Sequence, residues 1–191
     1  MKSLYKTIIK PYGSRYSNSI DVDGKDLILN NSIDIKDYQY VNRIGVVIEP
    51  PHHNPMVEKE DLVIVHHNVF RQYWGFSTHL RTSSSDLNDG TFGVDPDSIY
   101  AYNRGDGWVM LHDYCFVKPE KADREGLILS LDMEQKRIGK LFRGAPRHLR
   151  EGDTVSFRPY SEHEYNIDGE KVYKMRHRDL TAHILWKNST V

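Results

Sequence analysis

Apolar side chains along this chain come in short alternating runs rich in Val, Ile, Tyr and Phe. Clear cases are Tyr5 to Ile9, Leu62 to Val65, Trp108 to Leu111, Tyr114 to Val117 and Thr154 to Phe157. A repeat of two places every second side chain on one face, which is the mark of a half-buried strand. Helical spacing is almost absent. Turn formers divide the runs: Asp23-Gly24, Asn88-Asp89-Gly90, Asp106-Gly107 and Asp168-Gly169. Many short strands between such turns predict an all-β sandwich or barrel.

Four landmarks occur twice and in the same order. Ile8-Ile9-Lys10-Pro11 matches Phe116-Val117-Lys118-Pro119, and Leu27-Ile28-Leu29 matches Leu127-Ile128-Leu129. Arg43-Ile44-Gly45 matches Arg137-Ile138-Gly139, and Lys59-Glu60-Asp61-Leu62-Val63 matches Glu151-Gly152-Asp153-Thr154-Val155. Each match alone is cheap, but four in order point to an internal duplication. The spacing between copies falls from 108 to 92 residues along the chain, so the second copy has shorter loops. The expected modules are 1–113 and 114–191, with a tight boundary near Cys115. A polar stretch near 75–97, around Ser83-Ser84-Ser85, reads as a long insertion in the first module with no counterpart in the second. Structureless loops of that length are usually functional.

Composition adds limits. The 191 residues hold 26 Lys plus Arg and 27 Asp plus Glu, a net charge of −1. That balance disfavours nucleic acid as a partner, because affinity for it rests on a basic surface. One cysteine excludes a disulfide framework and any multi-cysteine zinc site. Cys115 sits between Tyr114 and Phe116 with no base nearby in sequence, so it reads as a buried, inert thiol rather than a nucleophile. No run approaches the roughly 18 apolar residues of a membrane span. The N-terminal stretch lacks the apolar core of a signal peptide. The expectation is a cytoplasmic protein with no membrane partner.

Other constellations are weak. The ten histidines include the pairs His52-His53 and His66-His67. Neighbours on a strand face opposite ways, so such a pair offers one ligand per face, and no metal site is expected. No nucleophile elbow, phosphate loop or dinucleotide fingerprint is present, so no catalytic residue and no cofactor are expected. Asn103 to Gly107 and Asp95-Pro96 read as hairpin turns, the Arg104-Gly105-Asp106 tripeptide included. Residues 113–191 carry 15 basic and 13 acidic groups, against 11 and 14 in the rest. Lys136, Arg137, Lys140, Arg143, Arg147 and Arg150 cluster around Phe142. They read as a solvated or intersubunit face, with phosphate contact as the other option.

From Phe116 to Ile184 the order of motifs resembles the GroES-type, ten-kilodalton co-chaperonins. That family has an opening strand ending in Val-Lys and a loop with Gly-Gly-Ile-Val-Leu. Arg-Gly-Glu-Val, Val-Gly-Asp-Ile-Val and a closing Asp-Ile-Leu-Ala-Ile strand follow. Here Val117-Lys118, Gly126-Leu127-Ile128-Leu129, Arg137-Ile138-Gly139, Glu151-Gly152-Asp153-Thr154-Val155 and Asp179-Leu180-Thr181-Ala182-His183-Ile184 follow in that order. The first copy fits less well, with Glu60 where the family has glycine.

The resemblance implies an all-β fold of two tandem GroES-like partly open β-barrels. It implies a co-chaperonin that forms or joins a ring, caps a GroEL-type chaperonin and acts on unfolded clients only indirectly. Leu27, Ile28, Leu29, Leu127, Ile128 and Leu129 would be the chaperonin-binding residues, on loops that order on docking. The other reading of each tripeptide is an ordinary buried strand. Pro50 to Pro55 and Gly144 to His148 are too short for the family's roof hairpin. Virus-encoded members share that lack, which points to a phage source and a host cytoplasm. The competing function is a structural or virion assembly protein that kept the barrel.

Overall fold

The computed structural model describes residues 3–16, 19–22, 25–28, 40–74, 80–121 and 134–185. The protein is all-β and divides into two compact units, Met1–Trp108 and Val109–Val191. The first contains β1 (Thr7–Pro11), β2 (Ser19–Val22), β3 (Lys25–Ile28), β4 (Ile44–Glu49) and β5 (Leu62–Val65). It continues with β6 (Gln72–Trp74), β7 (Leu80–Thr82), β8 (Phe92–Val94) and β9 (Ile99–Asn103), and the chain leaves it through β10 (Trp108–Met110). The second contains β11 (Tyr114–Lys121), β12 (Glu134–Arg143), β13 (Thr154–Phe157), β14 (His163–Ile167), β15 (Glu170–Arg176) and β16 (Leu180–His183).

The main sheets run β10-β9-β5-β4-β1-β8 and β14-β15-β11-β12-β13-β16, both open. Five strands correspond in order: β9-β5-β4-β1-β8 and β16-β13-β12-β11-β15. Their registers correspond too. Pro11 faces Gly45 and Pro119 faces Gly139, each pair followed by a bulge, at Ile8/Ile9 and at Phe116/Val117. Gly45 faces Val63 as Gly139 faces Val155. Val63 faces Tyr102 as Val155 faces His183, with bulges at Ile64/Val65 and Ser156/Phe157. Ile8 faces Gly93 as Phe116 faces Lys174. The 3₁₀ turns correspond as well: Pro96–Ser98 enters β9 as His177–Asp179 enters β16. In β1 and β4, where buried and partly exposed residues alternate, a slip of one residue would turn the buried set outward, so burial holds that register.

The central strands are buried on both faces, since the consecutive residues Val63, Ile64 and Val65, and Cys115, Phe116 and Val117, are all fully buried. Ile9, Val47, Val63, Val65, Phe70 and Phe92 are fully buried or nearly so in the first unit. The rings of Phe70 and Phe92 meet edge to face at 4.9 Å. Cys115, Val117, Leu141, Val155, Phe157 and Met175 form the core of the second. Each such large side chain contributes roughly 1.5–3 kcal/mol on burial.

The approach to β5 and β13 shows why the Gly-Asp landmark recurs. The Glu58 amide donates to Asp61 Oδ2 at 2.7 Å, and the Arg150 amide donates to Asp153 Oδ2 at 2.8 Å. Each aspartate closes a tight turn that needs a left-handed residue just before it. Gly152 has φ +93° and Glu60 has φ +74°. The glutamate thus departs from the family pattern in residue type and keeps the backbone conformation. A left-handed non-glycine residue costs about 1–2 kcal/mol, partly offset by the greater chain entropy of glycine. Glu60→Gly should therefore stabilise the first unit by about 0.5–1 kcal/mol. Urea unfolding checks it: the midpoint rises at constant slope, and an unchanged or lower midpoint counts against the assignment.

The polar stretch at 75–97 differs from expectation. It is not a plain insertion without counterpart. Its end, Phe92–Val94, is wholly buried strand β8, which pairs with β1 as β15 pairs with β11. What the first unit adds is the small β6–β7 hairpin and the turn before β8. Asp95-Pro96 opens a 3₁₀ turn rather than a hairpin, whereas Asn103 to Gly107 does join the hairpin strands β9 and β10. No strand lies between β4 and β5 or between β12 and β13.

Candidate functional site

The two expected docking segments leave the sheets at corresponding places. In the first unit the chain departs after β1 and returns before β4. Its exit and return are joined: Tyr16 bridges Val41, the Asn42 amide donates to the Arg15 carbonyl at 2.9 Å, and Asn42 Nδ2 donates to the carbonyls of Tyr12 and Ser14 at 2.8 Å. Arg15 anchors this neck. It donates to the Phe70 carbonyl at 3.0 Å, to Thr82 Oγ1 at 3.1 Å and to Asp86 Oδ2 at 3.3 Å, and its guanidinium lies 4.9 Å from the centre of the Phe92 ring.

Within the excursion, β2 and β3 pair with each other and with no other strand among the described residues, Ile20 opposite Leu27 and Ser19 opposite Ile28. Leu27 and Ile28 therefore belong to a separate hairpin and not to the main sheet. Leu29 lies outside the described residues.

In the second unit the chain departs after Lys121 and returns at Glu134, and these two residues face each other across β11 and β12. Glu134 secures this neck, accepting from the Tyr173 hydroxyl and from Lys171 Nζ at 2.8 Å. Burial, and then the Glu134 carboxylate, raise the Tyr173 hydroxyl above its ordinary range. Leu127, Ile128 and Leu129 lie in the excursion itself, outside the described residues.

The other groups singled out in the sequence carry little chemistry. Cys115 is fully buried, and desolvation pushes its thiol up to about 12, which removes it as a nucleophile. Among the described residues no three His, Cys, Asp or Glu side chains converge as a metal set would. His66 and His67 do not take opposite faces as expected. They follow the end of β5, where the chain turns, and their rings stack at 4.2 Å. Arg104 of the Arg-Gly-Asp turn is held by Asp61, at 3.0 Å, and by Glu58, at 3.3 Å.

The basic cluster around Phe142 is partly neutralised. Lys118 Nζ and the Arg143 guanidinium lie 4.2 and 4.6 Å from the ring centre. Lys140 pairs with Glu120 at 3.2 Å and Arg143 with Glu151 at 2.8 Å.

A second basic feature was not singled out in the sequence. Arg158, Lys174, Arg176 and Arg178 line one recess of about 380 Å³ in the second unit. The available signal was Lys174-Met175-Arg176-His177-Arg178, cations at every second position beside a buried methionine.

The chain matches no protein-family model and no curated protein.

Proposed function

We propose that this chain is a co-chaperonin of two GroES-like, partly open barrel modules that caps a GroEL-type, ATP-driven chaperonin. One observation carries the reading. Both Leu-Ile-Leu segments lie on excursions between corresponding paired strands, β1 and β4 in one unit and β11 and β12 in the other, and each excursion starts and ends at a stitched neck. Such a neck lets a segment change conformation on docking without disturbing the sheet that bears it. The β2–β3 hairpin, paired with no other strand among the described residues, suits the same role.

In this reading the chain performs no catalysis of its own, and the nucleotide chemistry belongs to the partner. The tripeptides supply apolar anchors for an apolar groove on the chaperonin. Each loop spends free energy on its own ordering, so a single contact is weak and a ring of loops acts by multivalency. Two modules per chain mean that whole chains fill only a ring with an even number of modules. The strandless segments at the roof position would leave the ring open at the top. They agree with a phage source and with work in the host cytoplasm.

Gel filtration with a host-matched double-ring chaperonin tests the proposal. Co-elution that depends on ATP or ADP is the expected result. Absence of co-elution with a chaperonin shown to be active overturns it and favours an assembly protein that kept the barrel.

A further inference from the structure

We propose that the recess in the second unit binds an oligophosphate group. Its walls come from β15, from the turn after it and from the segment between β13 and β14. Lys174 and Arg176 stand two apart on β15, so they share a face, while Met175 between them enters the core. Arg178, in the 3₁₀ turn, and Arg158, the residue after β13, also line the recess. The guanidinium groups of Arg158 and Arg178 are exposed and make no ion pair among the described residues. Lys174 is only 8% exposed, its ammonium 4.7 Å from the centre of the Tyr114 ring. Arg176 donates to the Tyr114 hydroxyl at 3.2 Å. His163 lies opposite Lys174 across the strand pair. The one carboxylate in the lining, Asp179, accepts the Arg176 amide at 3.2 Å, and with Asp113 it partly balances the Arg176 charge.

The first unit shows that the fold does not need these cations. In the shared register Gly93 stands where Lys174 does. Asp95 and Asp97 stand where Arg176 and Arg178 do, and Lys6 pairs with Asp95 at 3.6 Å in the position of the Tyr114–Arg176 contact. The same framework thus forms with Gly-x-Asp-x-Asp as with Lys-x-Arg-x-Arg. Gathering like charges and burying an ammonium both cost stability. An anionic ligand offsets both costs when it binds.

The form of the recess selects the anion. Three guanidinium groups and an ammonium match several phosphate groups better than one carboxylate, since arginine engages phosphate oxygens in pairs. The volume falls in the range of small-molecule sites. Tyr160, 95% exposed at the rim, offers a ring on which a nucleobase could stack. The shared chemistry is the oligophosphate, and its source is a nucleotide or a free polyphosphate.

Calorimetric titration of the isolated full chain, without chaperonin, tests this independently of the function proposed above. The probes are ATP and inorganic tripolyphosphate at physiological salt. The expected result is saturable binding of one equivalent per chain, weakened about tenfold for each guanidinium lost in Arg158→Ala and Arg178→Ala. Both side chains are exposed, so these variants should keep the thermal transition of the parent. Lys174→Met is the second variant, since a strand with glycine at the matching position already forms in the first unit. Tighter binding of ATP than of tripolyphosphate, with the difference erased by Tyr160→Ala, identifies a nucleotide. Equal binding identifies free polyphosphate. Unsaturable binding, several equivalents per chain, or folded variants that bind like the parent overturn the proposal.

Discussion

Ile28→Asp combined with Ile128→Asp should abolish nucleotide-dependent co-elution with the chaperonin and leave the protein folded. A carboxylate placed at an apolar contact loses the burial term of the isoleucine and must be desolvated as well. In the proposed ring the effect would multiply, because avidity of about 10²- to 10⁴-fold would rest on many weak loops acting together. Folding should be spared. Among the described residues the strand bearing Ile28 pairs with β2 alone, outside both six-stranded sheets. The two single variants separate the copies. A single variant that binds like the parent assigns a structural role to that tripeptide. A double variant that still co-elutes removes the tripeptides from the mechanism.

Gly139→Ala should be among the most destabilising small substitutions in the chain, and Gly45→Ala distinctly milder. Both glycines face the proline that follows the opening strand's Lys. A methyl group on Gly139 would lie 2.6 Å from Val117 Cγ1 and closer still to the Lys118 carbonyl oxygen. Backbone cannot rotate away as a side chain can, so β11 and β12 must separate. At Gly45 the nearest atom is Ile9 Cδ1, at 2.9 Å, the free end of a flexible side chain, with the Lys10 carbonyl oxygen at 3.0 Å. Overpacking of this kind costs about 1–3 kcal/mol, and the Gly139 variant belongs at or beyond the upper end. For a unit of this size that lowers the melting temperature by roughly 10 °C or more. Scanning calorimetry of both variants is the check. A Gly139→Ala protein that melts with the parent would show that the strands are not as close as described.

These two positions also show how much of the fold could be read from the chain. Arg43-Ile44-Gly45 and Arg137-Ile138-Gly139 were recognisable as repeated landmarks. The reason for the glycine, a carbonyl oxygen of the neighbouring strand, comes from a residue about 20 to 35 positions away. Leu62–Val65 and Thr154–Phe157 are strands with the bounds that their alternation predicts. A short run of β-branched and aromatic residues and a preceding aspartate turn are local, and local signals are legible.

Phe92–Val94 was hidden for the opposite reason. Three residues in a polar neighbourhood carry no periodicity, and only pairing with β1 makes them a strand. His66 and His67 were misread because where β5 ends depends on its partner strands. The recess cations were missed because Arg158 joins Lys174, Arg176 and Arg178 only when the chain folds back through β14 and β15. Of the docking segments, composition revealed the apolar tripeptides, while their rooting at joined necks depends on Tyr16 meeting Val41 and Lys121 meeting Glu134.

The amino-acid sequence by itself determined the all-β class, most strand positions, the turns and the order of the repeated landmarks. These follow from side-chain alternation and from the backbone preferences of Gly, Asp and Asn, which act over a few residues. The tertiary structure alone decided which strands pair, where the bulges fall, which short polar segment joins the core and which distant cations share a recess. Those outcomes depend on contacts between residues far apart in the chain, whose free energy is gained only when both sides are in place.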